Sequence, residues 1–347
     1  MRKPRIELPL ISPEPLEVVV TRGGAVESIH NVDIALVDGD GHVLIGLGEI
    51  ERPVFPRSAM KPLQSIALAE TILDGSCGHS LCAEELALIT ASHNAEPFHV
   101  KAVAELLDRF GIDHGALICG AHWSLDQPTA IDQARVMDTP TKLHNNCSGK
   151  HAGMLALARI MGAPLEGYHR LNHPVQQRIL GILEAMTGTD LTAHPHGIDG
   201  CGAPALSGPL GHWARAFALF AGGGLIPEVR QKACDLIRDS IASAPEMIAG
   251  TGRACSAIAR CYGTAITAKT GAEGVFAVAF HELGLGLVVK TRDGNKRGAE
   301  TAIGAVIHAL GYEHPDEVMP YFQPKLKNWA GEEVGEIFAN PPLKLTN

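Results

Sequence analysis

The stretch Arg57-Ser58-Ala59-Met60-Lys61-Pro62 stands just before the small and apolar run Ser65-Ile66-Ala67-Leu68-Ala69. The run predicts a buried helix, and the stretch before it predicts the first turn of that helix. Ser58 and Lys61 are three positions apart, so they share one face of a helix. A neutral lysine amine at this distance can take the proton of a serine hydroxyl. Taken alone, the pair is equally typical of a solvated first turn, because both residue types are common.

Strand-like segments lie at both ends of the chain, and helix-like segments, among them 83–89 and 214–220, lie between them. The stretch 115–146 has an irregular pattern with prolines at 128 and 140, which predicts a long surface excursion. Stretches rich in β-branched and apolar residues occur at 16–20, 32–37, 43–47, 264–269, 275–281 and 286–291. This order predicts an α+β fold, with an antiparallel sheet built from N- and C-terminal strands and flanking helices. We expect one domain over 1–347, with its sheet from about 16–50 and 264–310 and its helical part from about 58–260.

Composition limits the classes of function. Hydrophobic residues make up 46% of the 347 residues and charged residues 19%, which is typical of a chain with a sizeable core. The net charge of −9, without a basic run, argues against nucleic acid or an anionic membrane as partner. We find no signal peptide and no apolar segment of roughly 20 residues. Eight cysteines without a Cys-x-x-Cys pair indicate reduced thiols, so we expect a cytoplasmic protein.

Three separated motifs share one order along the chain. Ser58-x-x-Lys61 lies at a predicted helix start, Ser92-His93-Asn94 in a predicted loop, and Lys269-Thr270-Gly271 on a predicted strand. Penicillin-binding proteins and β-lactamases carry Ser-x-x-Lys, Ser-Asp-Asn and Lys-Thr-Gly in this order. The middle motif departs from that pattern, because His93 stands where aspartate would. Individually, the second and third motifs are also typical of a capping loop and of a strand end.

Together the motifs predict a serine hydrolase that works by acyl transfer. Ser58 would attack a carbonyl carbon while Lys61 takes the hydroxyl proton, and Ser92 would relay a proton to the leaving group. The positive charge of Lys269 would lower the pKa of the other lysine and hold an anionic substrate. The backbone N–H of Ser58 would donate a hydrogen bond to the oxyanion.

A second group of polar residues lies in glycine-rich turns. It consists of Cys147, Lys150, His151, Asp199 and Cys201. Thiolates beside histidine and aspartate can hold zinc, although the usual Cys-x-x-Cys spacing is missing. The alternative is that both cysteines are free, buried and packed as small apolar groups.

Four segments resemble the L-asparaginase II family of rhizobial type. They are Ser58-Ala59-Met60-Lys61-Pro62, Asn145-Asn146-Cys147-Ser148-Gly149-Lys150-His151, His196-Gly197-Ile198-Asp199-Gly200-Cys201-Gly202 and Ala268-Lys269-Thr270-Gly271-Ala272-Glu273-Gly274. The resemblance spans almost the whole chain. It implies a fold similar to serine β-lactamases and glutaminases, a homodimer, and hydrolysis of L-asparagine to L-aspartate and ammonia.

The resemblance also implies roles for individual residues. Its catalytic group would be Ser58, Lys61, Ser92 and Lys269. One zinc ion per chain would be held by Cys147, Lys150 and Cys201. A lysine ligand must bind as the neutral amine, and bound metal would itself supply the required pKa shift. Since the serine already supplies the nucleophile, the metal would position or sense the substrate.

Charge matching suggests how a small zwitterion would be held. Asp199 could accept the α-ammonium group, and His151 or Arg57 could bind the α-carboxylate. The alternatives are structural: Asp199 orients a zinc ligand, His151 is an ordinary first-turn residue, and Arg57 is solvated.

Two other functions remain open at this point. One is a penicillin-recognising serine peptidase or β-lactamase-like hydrolase, which usually works outside the cytoplasm. The other is a non-catalytic amino-acid-binding protein, although a sensor has no need for two serines and two lysines placed for proton transfer.

Overall fold

The structure is a computed structural model that describes residues 4–75, 78–340 and 343. The chain divides into two compact units. The unit that we call the sheet unit comprises the described parts of Met1–Ala59, Gly208–Leu225 and Ala268–Asn347. The unit that we call the helical unit comprises the described parts of Met60–Ser207 and Ile226–Thr267. The expectation of one domain over 1–347 stays a prediction.

The strands and helices follow one another in a mixed order. The strands are β1 (Leu10–Ser12), β2 (Leu16–Arg22), β3 (Ala25–Val37), β4 (Val43–Leu47), β5 (Pro53–Val54), β6 (His196–Ile198), β7 (Pro204–Leu206), β8 (Gly208–Pro209), β9 (Ile266–Thr270), β10 (Val275–Phe280), β11 (Leu285–Thr291), β12 (Lys325–Lys327) and β13 (Glu333–Asn340). The helices are α1 (Lys61–Leu73), α2 (Ala83–Ile89), α3 (Pro97–Arg109), α4 (Gln127–Val136), α5 (Ser148–Ile160), α6 (Pro174–Thr187), α7 (Leu210–Phe220), α8 (Glu228–Ser243), α9 (Ala254–Tyr262), α10 (Lys296–Ala309) and α11 (Met319–Phe322).

The main sheet joins strands from both ends of the chain. Its order is β12-β13-β2-β3-β11-β10-β9, and β4 pairs with β3 at Ile34↔Leu47. β3 is long enough to pair with β2 through its first half and with β4 and β11 through its second half. β2–β3, β3–β4, β3–β11, β10–β11, β2–β13 and β12–β13 are antiparallel pairs, whereas β1 and β4 run parallel. This confirms the α+β class and the origin of the sheet.

Helices cover both faces of β11 in the sheet unit. A Cβ atom on Gly286 would lie 2.0 Å from the carbonyl oxygen of Ala214, so α7 packs directly on this strand. Side chains alternate along a strand, so Thr291 lies on the opposite face of β11 from Gly286. On that face, a Cβ atom added to Gly298 of α10 would lie 2.8 Å from Thr291 Cγ2, so α10 packs closely there. The sheet is thus the middle of three layers. The helix predicted at 214–220 belongs to this unit, although it falls within the range predicted as the helical part.

Helix α1 is the centre of the helical unit. Each of its first ten residues is buried, from Lys61 to Glu70, and it packs against α2, α5, α6 and α8. A helix that is buried on all sides must satisfy its polar side chains internally. Glu70 does so by accepting a hydrogen bond from Arg230 at 2.7 Å. Lys61, at the other end of the helix, is part of the site described below.

Several boundaries differ from the predictions. Arg57–Met60 form a 3₁₀ turn, so α1 begins at Lys61 rather than at Ser58. The stretch predicted as an irregular excursion, 115–146, contains α4, whose N-cap Asp126 accepts a hydrogen bond from the N–H of Thr129. The strands β12 and β13 were not predicted. Within the described residues, the helices are too short or too polar to cross a membrane.

Candidate functional site

Lys61 is the most enclosed lysine of the helical unit. Its side chain is 1% exposed, and its ammonium group makes three hydrogen bonds. It donates to the carbonyl oxygen of Ala91 at 2.6 Å, to Ser92 Oγ at 2.8 Å and to Cys147 Sγ at 3.2 Å. The structure therefore brings Lys61 and Ser92 together with the first of the predicted metal ligands.

The loop that carries Ser92 follows α2 and is held on both sides by backbone hydrogen bonds. The N–H groups of Ser92 and Asn94 donate to Ile248 and Ala249, at 3.1 and 2.9 Å. The N–H of His93 donates to the carbonyl oxygen of Asn146 at 3.1 Å, next to Cys147. Because the loop is buried and fully bonded, the Ser92 hydroxyl has a fixed position beside the lysine amine.

Burial is the main influence on the charge of Lys61. It lowers the pKa of the amine below its ordinary value, and the nearby Lys150 acts in the same direction. The thiolate of Cys147 opposes this effect. A buried lysine with a lowered pKa can give up its proton and then act as a base.

Cys147, Lys150 and Cys201 also come together in the helical unit. Cys147 is the N-cap residue of α5, and Lys150 lies in the first turn of that helix. Lys150 Nζ donates to Cys201 Sγ at 3.1 Å. Cys201 lies beside the hairpin of β6 and β7, and all three side chains are buried.

The pKa values of the two thiols are shifted in opposite directions. Cys147 has a pKa far below that of a free thiol, because it accepts a hydrogen bond from Cys201, and both lysines favour its thiolate. The pKa of Cys201 is raised by the same hydrogen bond and by burial. Although burial acts against the charge of Lys150, the neighbouring sulfur atoms raise the pKa of that amine. Of the two thiols, Cys147 is therefore the one that loses its proton more readily.

This donor set fits a zinc ion. The Cys201 thiol interacts with both the Lys150 amine and the Cys147 thiol, so that two soft sulfur ligands and a nitrogen ligand lie in one buried place. To bind a metal cation, the thiols and the amine must first lose their protons. The positive charge of the metal would then compensate the negative charge of the thiolates. The three predicted ligands thus lie where a shared ion could reach them.

His151 and Asp199 belong to the same unit. His151 follows Lys150 in α5 and is fully buried, and its Nδ1 lies 2.7 Å from the hydroxyl oxygen of Tyr168. Burial and the two lysines hold its pKa well below the usual value, so the ring is neutral. The negative charge of Asp199 helps to raise the pKa of the Lys150 amine. Its backbone is fixed by the N–H donated to Ala203 at 2.8 Å.

The other predicted residues lie in the sheet unit. Arg57 and Ser58 belong to the 3₁₀ turn that ends this part of the chain, and both are partly exposed. Lys269 is fully buried on β9 and donates to the carbonyl oxygen of Thr270 at 3.1 Å. A Cβ atom on Gly271 would lie 2.4 Å from the oxygen of Pro56 and 3.3 Å from the nitrogen of Ala59. The end of β9 therefore packs on the turn that carries Ser58.

His93 stands where the Ser-Asp-Asn motif has aspartate, and its side chain forms hydrogen bonds within the helical unit. Its Nδ1 accepts a hydrogen bond from the N–H of Ala95 at 3.1 Å, and its Nε2 lies 3.0 Å from Ser148 Oγ. Burial, followed by the charge of His99, holds its pKa well below the usual value. Neutral His93 thus ties the Ser92 loop to the start of α5.

Two further residues around this site were not singled out from the sequence. Asn145 accepts a hydrogen bond from the N–H of Cys147 at 2.8 Å and donates to the carbonyl oxygen of Cys119 at 2.6 Å. Asn145 precedes the quoted cysteine by two positions, which is the spacing of an Asx turn. The other, Tyr168, is an isolated aromatic residue, and no motif in the sequence marks it.

The chain matches one protein-family model over most of its length. The model, described as L-asparaginase II, matches residues 18–339. None of the curated proteins matches the chain.

Solved structures with a related arrangement have low sequence identity. A β-lactamase from Mycobacterium bovis is 15% identical, with 81% of this chain and 95% of that chain covered and a TM-score of 0.41. A β-lactamase/D-alanine carboxypeptidase from Pseudomonas syringae is 14% identical, with 87% and 94% covered and a TM-score of 0.39. At such TM-scores, the assignment of the chain rests on the family match.

Proposed function

Because the chain belongs to the L-asparaginase II family, we propose that this hydrolase converts L-asparagine to L-aspartate and ammonia. The observation that carries the proposal is the buried amine of Lys61, which donates to the hydroxyl of Ser92 at 2.8 Å. An amine with a lowered pKa and a hydroxyl in contact with it form a path for a proton.

The reaction begins with Ser58. Its Oγ attacks the side-chain amide carbon of asparagine, and neutral Lys61 takes the hydroxyl proton. Ser58 in the 3₁₀ turn Arg57–Met60 precedes Lys61, the first residue of α1, by three positions along the chain, which supports this pairing. The proton then passes from Lys61 through Ser92 to the amide nitrogen, and the C–N bond breaks to release ammonia. Water attacks the acyl-enzyme and gives a proton to Lys61. Lys61 passes this proton to Ser58 Oγ as the ester C–O bond breaks, so that aspartate leaves and both residues return to their starting states.

Three side chains bind the charged groups of the substrate in this proposal. His151 donates a hydrogen bond to the α-carboxylate, and Arg57 or Lys269 adds positive charge. Asp199 accepts the α-ammonium group. A small zwitterion needs both signs of charge at fixed places, since most of its surface is polar.

One zinc ion per chain is part of the proposal. Cys147, Lys150 and Cys201 would hold it, and their mutual contacts support this assignment. When bound, zinc would supply a fixed positive charge that positions the substrate. The proposal also includes a cytoplasmic location, where the ligand thiols stay reduced, and a homodimer, which the family resemblance implies.

The test is ammonia release from the purified protein with L-asparagine or L-glutamine, in the presence and absence of a chelator. We expect turnover of asparagine by the wild type and its loss in Ser58→Ala, with the unfolding transition unchanged. Ser240→Ala is the matched control, since it removes a buried hydroxyl that bonds within α8. Full ammonia release by Ser58→Ala would exclude Ser58 as the nucleophile.

Two other outcomes would identify the rival functions. Covalent labelling of Ser58 by a labelled penicillin, without ammonia release, would indicate a penicillin-recognising enzyme. Binding of asparagine without turnover at any pH would indicate an amino-acid-binding protein. In the second case the contact between Lys61 and Ser92 would have no catalytic meaning.

A further inference from the structure

The hydroxyl of Tyr168 connects His151 to the backbone of the helical unit. Tyr168 lies in the turn region between α5 and α6 and is fully buried. Its oxygen accepts a hydrogen bond from the N–H of Ile118 at 3.2 Å and lies 2.7 Å from His151 Nδ1. Among the described residues, these are the two partners of the hydroxyl group.

These two contacts decide which ring nitrogen of His151 carries the proton. The N–H of Ile118 can only donate, so the tyrosine oxygen must accept there. The hydroxyl proton is then available for His151 Nδ1, which accepts it. If Nδ1 carried a proton instead, the tyrosine would accept twice and its own buried proton would have no acceptor among the described residues. The satisfied arrangement therefore has the histidine proton on Nε2.

The Nε2 atom of His151 is a buried donor that lacks a partner among the described residues. A buried donor left without an acceptor destabilises the fold, so a ligand that accepts this hydrogen bond explains why the donor is placed there. A ring N–H is a donor only, so the ligand group that pairs with it must be an acceptor, and the carboxylate is the acceptor that an amino-acid substrate carries at its α-carbon.

We propose that Tyr168 is a positioning residue that holds His151 as the Nε2–H tautomer, so that the ring donates to the α-carboxylate of the substrate. The identity of the carboxylate rests on the proposed function. The tautomer does not, because it follows from the contacts of Tyr168. Tyr168 itself touches neither the substrate nor the reacting atoms.

The kinetic test compares two amides in Tyr168→Phe. L-Asparagine has an α-carboxylate, whereas 3-aminopropanamide has the same amide and amine without it. Loss of one oriented hydrogen bond should raise KM for asparagine about 5- to 10-fold and leave kcat within about 2-fold. For 3-aminopropanamide, kcat/KM should not change. An equal loss for both amides would show a merely structural role and would overturn the proposal.

A matched control separates the hydroxyl of Tyr168 from buried tyrosine hydroxyls in general. Tyr312 is also fully buried but lies in the sheet unit, with its hydroxyl 3.5 Å from Glu282. Tyr312→Phe should leave KM for both amides unchanged. In a His151→Gln background, the additional change Tyr168→Phe should have no further effect on KM for asparagine, since both changes act through one ring.

Nitrogen NMR of the histidine rings tests the tautomer without any turnover. The His151 signals are assigned by their loss in His151→Gln. The wild type should show a protonated Nε2 and an unprotonated Nδ1, and Tyr168→Phe should show exchange between the two forms. A protonated Nδ1 in the wild type would overturn the proposal even if asparagine is hydrolysed. A protein that releases no ammonia from asparagine but shows the expected tautomer would overturn the proposed function alone.

Discussion

The sheet unit and the helical unit each bury a charged side chain, but they surround it differently. In the sheet unit, Asp33 is fully buried and accepts hydrogen bonds from the N–H of Glu49 at 3.1 Å, from Arg52 at 2.8 Å and from Arg292 at 2.7 and 3.0 Å. In the helical unit, Lys61 has a carbonyl, a hydroxyl and a thiol as partners.

The difference indicates what each charge does. Asp33 has two guanidinium groups against its oxygens, so its charge is compensated in place and its contribution is to stability. The partners of Lys61 are groups that exchange protons, and burial favours the neutral amine. A buried titratable group beside other titratable groups is typical of a reactive site. The comparison predicts that removing Lys61 affects turnover, whereas removing the charge of Asp33 affects folding.

The largest expected effect is on turnover in Lys61→Met. Methionine fills a similar volume without an amine, so kcat for asparagine should fall about 10⁴-fold, the upper range for a general base. The free energy of unfolding in urea should stay equal or rise, because a buried ammonium group is removed. Lys232→Met, which removes an exposed lysine paired with Glu228, is the control and should retain kcat. If Lys61→Met kept its turnover but lost stability, Lys61 would have the structural role that we assign to Asp33, and the comparison would be wrong.

The corresponding change in the sheet unit is Asp33→Asn. It leaves Arg52 and Arg292 facing a neutral amide, which should lower the free energy of unfolding by about 3 kcal/mol. Well below the unfolding temperature, kcat should stay within about 2-fold of the wild type. Glu336→Gln, which changes an exposed partner of Lys325, should leave the urea midpoint unchanged. An Asp33→Asn protein of normal stability but without turnover would contradict our interpretation of this cluster.

Metal content distinguishes the two kinds of buried cysteine in the helical unit. Elemental analysis of the purified wild type should find one zinc per chain, and Cys147→Ala should bind zinc at least about 100-fold more weakly in competition with a chelator. Cys234 is fully buried in α8, with a pKa raised by burial, and Cys234→Ala should keep the metal. Wild-type protein that contains no zinc would rule out the proposed site.

The smallest effect concerns the dependence of stability on pH. Burial lowers the pKa of His99 to about 4, and its Nε2 donates to the carbonyl oxygen of Glu246 at 3.0 Å. The unfolded chain binds a proton near the ordinary pKa of 6.5, so stability decreases as pH falls from 6.5 toward 4. Between pH 7 and pH 5 this histidine should account for about 2 kcal/mol. Urea unfolding of His99→Gln should show a smaller decrease over that interval, and an identical pH profile would contradict the assignment.

The sequence is sufficient for the parts of the fold that have a strong local pattern. The helix predicted at 83–89 and the strand predicted at 43–47 have the predicted bounds, because an apolar periodicity decides each one. The helix Gln127–Val136 was missed because Pro128 was interpreted as an interruption, although proline in a first turn after Asp126 is a start signal. The strand Glu333–Asn340 has few β-branched residues and is only partly buried.

The arrangement of the site is harder to predict from local sequence patterns than the fold is. The contact between Lys61 and Cys147 joins residues 86 positions apart, and no periodicity contains that information. The proximity of Lys61 and Ser92 was predicted from the order of known motifs, and the three metal ligands from a family resemblance. The role of His93 could not be inferred, since its hydrogen bonds to Ala95 and Ser148 depend on how the loop and α5 pack.

The backbone at Arg57 is left-handed, with a φ angle of +52°. Glycine adopts this conformation freely, whereas a side chain there costs about 1–2 kcal/mol. Arg57→Gly would thus relax the main chain and remove the guanidinium group in a single step. An engineer who selects this position for thermal robustness would relieve backbone strain at the expense of turnover, because the residue that follows is the proposed nucleophile.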